Sequence, residues 1–226
     1  MPRTARVIVA DVPYHVTQRG NRKQDVFYSD GDYRMYLGWL SDYADRYSLE
    51  ILAYCLMPNH VHIVAIPRRL DSMANTMRIL DKRHSDALNA AFDWAGHLWQ
   101  GRYFSAALDD AHLWNAVRYV ERNPVRAGLV ERAEDYLWSS AAFHLGKRPS
   151  KIIKSSTEWG RAVEGWAEAL ASPEDEEMLH KIRLRTRCGF PCGNDEFVAR
   201  ISDALGRPLV LRQRGRPPKK GDRHLF

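Results

Sequence analysis

The 226-residue chain has no apolar run near the length of about 20 residues that crosses a bilayer. The segment after Met1-Pro2-Arg3 lacks the apolar core of a signal peptide, so the expected location is the cytoplasm, with no membrane partner. Cysteine is scarce: three residues, an odd number, exclude a disulfide framework. Cys188 and Cys192 form a Cys-x3-Cys pair, but no second pair follows to complete a zinc site. No Gly-x4-Gly-Lys-Ser/Thr loop is present, and ATP is not expected as a partner. Acidic residues are outnumbered: 34 Lys and Arg face 28 Asp and Glu, a formal charge of +6. A basic chain without a membrane helix points to a polyanion, nucleic acid first.

What is present centres on Leu56-Met57-Pro58-Asn59-His60-Val61-His62-Ile63-Val64-Ala65-Ile66. Its aliphatic content between Pro58-Asn59 and Pro67 predicts a strand. Alternation along a strand puts His60 and His62 on one face, with Val61 and Ile63 on the other. Two neutral imidazoles side by side begin a divalent-metal site that needs oxygen ligands from elsewhere. A pair of packed, hydrogen-bonded core histidines is the competing reading of the same residues.

Around this stretch the elements alternate. Ala5 to Gln18 predicts a first strand, bent at Asp11-Val12-Pro13, followed by the basic turn Arg19-Gly20-Asn21-Arg22-Lys23. Asp30 to Tyr47 has helical apolar spacing with Ser29 or Asp30 as N-cap, and Leu49 to Met57 forms a hairpin with the histidine strand. Asp71 to Trp94 predicts a second helix, interrupted near Lys82-Arg83-His84, and His97 to Ala106 a further strand. A third helix runs from Asp109 or Asp110 to Asn123, ended by Pro124. This order is α+β: helices on an antiparallel sheet in a ferredoxin-like arrangement. Beyond a linker at Gly146–Lys151, short helices are expected at Thr157–Leu170, Pro173–Arg187 and Asp195–Leu205. The end, Arg212 to Gly221, has nothing apolar to bury and reads as disordered when free.

On the third helix Tyr119 and Asn123, four apart, share a face beside the pair Arg118 and Arg122. A phenol loses its proton only near pH 10, so a nucleophilic tyrosine needs nearby positive charge or a metal-polarised electrophile. The His60/His62 pair can hold that metal, and the Asn123 carbonyl can add an oxygen ligand.

The blocks Met57-Pro58-Asn59-His60-Val61-His62, Leu98-Trp99-Gln100-Gly101-Arg102-Tyr103 and Arg118-Tyr119-Val120-Glu121-Arg122-Asn123-Pro124-Val125-Arg126-Ala127 closely resemble the REP-associated tyrosine transposases, single-tyrosine HUH transposase-like proteins of bacteria. The likeness begins at Tyr14-His15-Val16-Thr17-Gln18-Arg19-Gly20-Asn21 and continues through Tyr136-Leu137-Trp138-Ser139-Ser140. It implies that His60 and His62 are metal ligands, Tyr119 the nucleophile and Asn123 the third side chain at a Mg²⁺ or Mn²⁺ ion. The implied reaction is cleavage and joining of single-stranded hairpin DNA of the repetitive extragenic palindrome type, through a 5′-phosphotyrosine, by a nucleoid-associated protein expected to be monomeric. Residues 1–145 are then the catalytic domain, 146–211 a helical extension and 212–226 a flexible basic tail. Candidate DNA contacts are Arg19, Asn21, Arg22, Lys23, Arg102, Arg118, Arg122 and Arg126, with Arg214 and Arg216 in an Arg-Gly-Arg-Pro segment that resembles an AT-hook. Two competing readings are a non-catalytic binder of structured nucleic acid and a hydrolytic nuclease that forms no covalent adduct.

Overall fold

A computed structural model describes residues 6–154 and 163–209. Four strands, β1 (Tyr14–Arg19), β2 (Leu49–Met57), β3 (His60–Pro67) and β4 (Phe104–Ala107), form one sheet in the order β2-β3-β1-β4. All three pairings are antiparallel, which is the ferredoxin-like order expected from the element sequence. Two helices cover one face: α1 (Asp30–Arg46) and α2 (Ser72–Phe92). The other face carries α3 (Asp110–Glu121), α4 (Asn123–Arg126), α5 (Ala141–His144), α6 (Trp166–Ala171) and α7 (Glu176–Cys188), while α8 (Asp195–Ala204) adds Phe197 and Ile201 to the core cluster of α1 and α2. Among the described residues no helix is long and apolar enough to cross a membrane.

Alternation in the strands divides the core. Tyr14, Val16, Leu56, Val61 and Ile63 join Tyr36, Leu40, Met77 and Leu80 beneath α1 and α2. Cys55, Met57, Val64 and Ile66 join Leu113, Ala116, Val117 and Val120 beneath α3. A bulge between Ile51 and Ala53 shifts β2 by one residue, so Leu52 and Ala53 both fall in the α3 cluster. Local signals set the ends of the helices. Ser29 and Asp32 make a reciprocal capping box on α1, and Asp109 accepts the His112 N–H at the start of α3.

Several expectations are corrected. The strand from Ala5 shrinks to Tyr14–Arg19, because the described residues before Pro13 run outside the ladder. Only Phe104–Ala107 of the expected strand from His97 joins the sheet. The rest wraps the end of β1, where Asn21 donates to the Leu98 carbonyl and Gln100 to that of Arg19, and its apolar residues Leu98, Trp99 and Tyr103 are buried by packing rather than by strand pairing. The second helix is uninterrupted. His84 points inward to the Val26 carbonyl at 2.6 Å while Lys82 faces solvent and pairs with Asp86, so the charged run occupies the outer face. Pro124 does not end the helical path. Arg122 stays right-handed at φ −82°, and α4 opens with Asn123 and carries Pro124 in its first turn, where the missing N–H costs nothing. Of the helix expected at Thr157–Leu170, residues 157–162 lie outside the described residues, as does the Arg212–Gly221 segment.

Candidate active site

The site is built on β1 and β3 and closed by α3, α4 and α7. His62 sits opposite Thr17 and His60 opposite Arg19, and paired residues share a face, so both imidazoles project toward α3. Their ring centroids lie 4.9 Å apart. The Tyr119 ring stands edge-on to His62 at 5.4 Å and to His15 at 5.6 Å. Two guanidiniums lie over the Tyr119 ring, Arg126 at 4.6 Å and Arg183 of α7 at 5.5 Å from its centroid. The structure thus brings together the expected nucleophile and both expected imidazoles. Asn123 is tied to the group through Arg126, whose Nη1 donates to its Oδ1 at 3.4 Å.

His15, given no role from sequence, is the support behind the pair. Its Nε2 lies 2.8 Å from His62 Nδ1, its Nδ1 lies 2.8 Å from Thr186 Oγ1 on α7, and the two imidazoles stack at 5.1 Å. If His15 donates from Nδ1 to Thr186, its Nε2 accepts from His62, and His62 keeps the Nε2 lone pair for a ligand. His60 reaches the same state locally: its Nδ1 donates to Asn59 Oδ1 at 2.5 Å, leaving Nε2 basic. Burial pushes His15 down to about 3, while burial aided by Arg19 pushes His60 down to about 4. His62 is driven well below the usual range by burial first and then by the proximity of His60, His15, Arg126 and Arg19. All three stay neutral at neutral pH, the form that binds a metal.

These residues fit a divalent ion completed by substrate. Among the described residues no three His, Cys, Asp or Glu side chains converge on a possible ion, so an ion at this place would have to draw on the two imidazoles and a further donor such as the Asn123 amide. The Asn123 Nδ2 is buried with no hydrogen-bond partner, leaving that amide short of one neighbour.

The arginines expected to hold DNA divide into two groups. Arg19, Arg22, Lys23 and Arg102 are exposed and Asn21 is partly so, with Arg22 and Lys23 in the left-handed region at φ 52° and 65°. Arg118, Arg122 and Arg126 are turned to the C-terminal segment. Arg118 donates to the carbonyls of Ala169, Ser172 and Pro173, and Arg122 to those of Leu170 and Ser172. Arg126 grips Glu174 through Nε at 3.2 Å and Nη2 at 2.7 Å. The free carbonyls at the end of α6 carry partial negative charge and lack helical donors, which suits guanidinium partners. Arg214 and Arg216 lie outside the described residues.

Glu121 is a second group that sequence reasoning passed over. It is fully buried, and Ser140, His144 at 2.6 Å and Trp166 at 2.7 Å all donate to its carboxyl group. This joins α3, two residues beyond Tyr119, to α5 and α6. A Glu between Val120 and Arg122 reads as a solvated helix position, and only the later arrival of Ser140 and Trp166 makes it interior. Cys188 is exposed and Cys192 buried, so they do not present a thiol pair.

Residues 8–123, which carry the four-stranded sheet, the histidine pair and the tyrosine helix, match the family described as Transposase IS200 like. The chain belongs to that family, and membership implies DNA cleavage and strand transfer. It is 28% identical over 127 residues to a REP-associated tyrosine transposase of Haemophilus influenzae, covering 51% of this chain and 69% of that protein. The structure of a REP-associated tyrosine transposase bound to a REP hairpin matches with a TM-score of 0.54 at 20% identity, over 72% of this chain and 99% of that one, and shows the fold in common. A transposase structure from Deinococcus radiodurans gives a TM-score of 0.37 over 54% of this chain.

Proposed function

We propose that this chain cuts and rejoins single-stranded hairpin DNA of the REP type through a covalent bond to Tyr119. The observation that carries the reading is the packing of the Tyr119 ring against His62 and His15, with the Arg126 guanidinium over its face. The Tyr119 oxygen attacks the scissile phosphorus, the bond to the 3′ oxygen breaks, and the strand is left as a 5′-phosphotyrosine with a free 3′-hydroxyl. The phenol gives its proton to solvent and the departing oxygen takes one up. Attack by the 3′-hydroxyl of another strand reverses the step, so no nucleotide triphosphate is consumed. His60, His62 and Asn123 would hold a Mg²⁺ or Mn²⁺ ion, which would supply Lewis-acid polarisation of a phosphate oxygen. His15 and Thr186 keep His62 in the required tautomer. Arg126 and Arg183 set positive charge beside the tyrosine, complementary to a phosphodiester.

One observation favours a non-catalytic binder: Tyr119 is only 7% exposed, with α7 against it. Incubation of the full-length protein with end-labelled hairpin DNA and Mn²⁺, followed by denaturing electrophoresis, separates the readings. A protein-linked band lost in Tyr119→Phe is expected. Cleavage without the band indicates hydrolysis, and binding without cleavage indicates the non-catalytic protein.

A further inference from the structure

The loop from Leu98 to Tyr103, which wraps the end of β1, is fastened to one acid of α2. Gln18 of β1 lies between them: its Nε2 donates to Asp81 Oδ2 at 3.2 Å and to the Gly101 carbonyl at 2.7 Å. Trp99 Nε1 donates to the Asp81 carbonyl at 3.0 Å. At the far end of the loop the Tyr103 hydroxyl is buried without a hydrogen-bond partner among the described residues, and so is Asp81 Oδ1. The loop in turn holds the basic turn after β1. Asn21 donates to the Leu98 carbonyl at 2.7 Å, Gln100 donates to the Arg19 carbonyl at 2.9 Å, and Gly20 forms a bridge with Trp99.

The Asp81 carboxyl sits among groups that suit its neutral form. From β1 it meets the Gln18 amide, and from α1 the Tyr36 phenol, whose hydroxyl is also buried without a partner among the described residues. The loop contributes the Tyr103 phenol with Arg102 beside it, and the N-terminal segment contributes Arg6. That guanidinium lies over the Tyr103 ring, 3.8 Å from its centroid, and its attraction for the carboxylate is smaller than the cost of burial. His84, one turn further along α2, is held neutral by burial and bonded to the Val26 carbonyl. Burial therefore prevails and pushes Asp81 up to about 8. Once water reaches it, the same carboxyl ionises near its ordinary 3.8. Between these values it is protonated under a closed loop and ionised under an open one. Opening thus releases a proton to solvent, and the equilibrium moves toward the open form by up to about tenfold for each unit of rising pH.

We propose that Asp81 is a proton-operated latch on the Leu98–Tyr103 loop, holding the loop and the basic turn against β1 and α2 when protonated and favouring their release when ionised. The exposed cations Arg19, Arg22, Lys23 and Arg102 ride on these two segments, so the charged surface at this end of the sheet loosens as pH rises toward 8. The latch depends neither on the chemistry at Tyr119 nor on what that surface binds.

The test is amide hydrogen exchange of the full-length protein between pH 5.5 and pH 9, followed by mass spectrometry of the peptides covering the loop and the basic turn and corrected for the intrinsic exchange rate. Wild-type protection in both segments should fall by about tenfold per pH unit from pH 5.5 to pH 7.5 and level off above pH 8. Asp81→Asn keeps the shape and an acceptor for Gln18 but has no proton to lose, so its loop protection should stay constant over that range. Trp99→Phe deletes the indole donor and leaves the carboxyl, and it should lower protection at every pH while keeping the wild-type slope. The wild-type slope in Asp81→Asn overturns the proposal. So does a wild-type loop that exchanges at the same rate as β2 and β3 at every pH, because that is unfolding of the whole molecule rather than local opening. A carbon-detected NMR titration of the wild-type carboxyl groups needs no variant to fold. One carboxyl should titrate near pH 8, and a titration with none above pH 6 overturns the latch.

Discussion

The two faces of the sheet bury similar aliphatic stripes and treat polar groups in different ways. Beneath α1 and α2 the core is aromatic and self-contained: Phe27 stacks on Tyr33 at 4.4 Å, Tyr33 on Trp138 at 4.7 Å, and His84 finishes on a backbone carbonyl. Beneath α3 the polar groups are chained across elements, from Thr186 to His15 to His62, and from Trp166, His144 and Ser140 to Glu121. The first face stabilises the sheet. The second uses chains of buried hydrogen bonds to hold a few atoms in place, and the unpartnered Asn123 Nδ2 is an exception to their pairing.

Tyrosine gives the sharpest contrast. Tyr119→Phe is expected to abolish the covalent DNA adduct while leaving the melting temperature nearly unchanged, as read on a denaturing gel and by thermal melting. Retention of the adduct would move the nucleophile elsewhere, Tyr103 being the next suspect. Leucine sets the scale for the quiet face. Leu40 is fully buried, and Leu40→Ala should cost about 2–5 kcal/mol in urea denaturation without altering metal affinity. Glu121→Gln on the other face turns a donor toward three donors and should cost about 1–3 kcal/mol. Its effect on adduct formation should exceed that of Leu40→Ala under conditions where both variants are folded, and an equal effect would reduce Glu121 to core structure.

Removing the support behind the histidine pair should be milder for stability than for binding. His15→Ala is expected to weaken Mn²⁺ binding about 10–100-fold by calorimetry, the scale of losing a partner behind a ligand. Unchanged Mn²⁺ affinity in His15→Ala, or in His60→Ala, would rule out the ion site as described.

The faces also differ in their response to pH. The histidines of the α3 face have folded values below their unfolded one, about 3 for His15 and about 4 for His60. The unfolded chain therefore binds more protons below about pH 6.5, and stability falls as pH drops from there toward 4, by at most about 1.4 kcal/mol per unit for each group. Asp81 on the other face acts in the opposite direction: its folded value of about 8 exceeds the unfolded 3.8, so its cost grows as pH rises between the two. Asp81→Asn should therefore gain stability relative to wild type at pH 8 compared with pH 5, and an equal difference at both pH values would contradict the burial of that acid. The smallest effect belongs to Tyr36, whose hydroxyl is buried without a partner among the described residues. Tyr36→Phe should be neutral or stabilising by up to about 1 kcal/mol, the reverse of the functional loss at Tyr119.

The sequence by itself determined most of the elements and which of the polar side chains share a face. Period-two alternation in His60-Val61-His62-Ile63 specifies which side chains share a face, and helical spacing places Tyr119 and Asn123 together, because both depend only on local backbone geometry. Capping chemistry set the start of α1 at Ser29 for the same reason. The pairing register was decided only by the tertiary structure: nothing local says that His15 and His62 meet, although they are 47 residues apart. The strand expected from His97 shortened because burying Leu98, Trp99 and Tyr103 outweighed extending the ladder. The docking of the C-terminal helices was equally illegible, since Glu174 meets Arg126 across 48 residues and the contact depends on how α6 and α7 return to the sheet. That return makes Glu121 interior, turns three arginines toward carbonyls and a carboxylate, and places Thr186 behind the histidines. Long-range contacts of this kind are set by the shape of the whole core, which no short window of sequence contains.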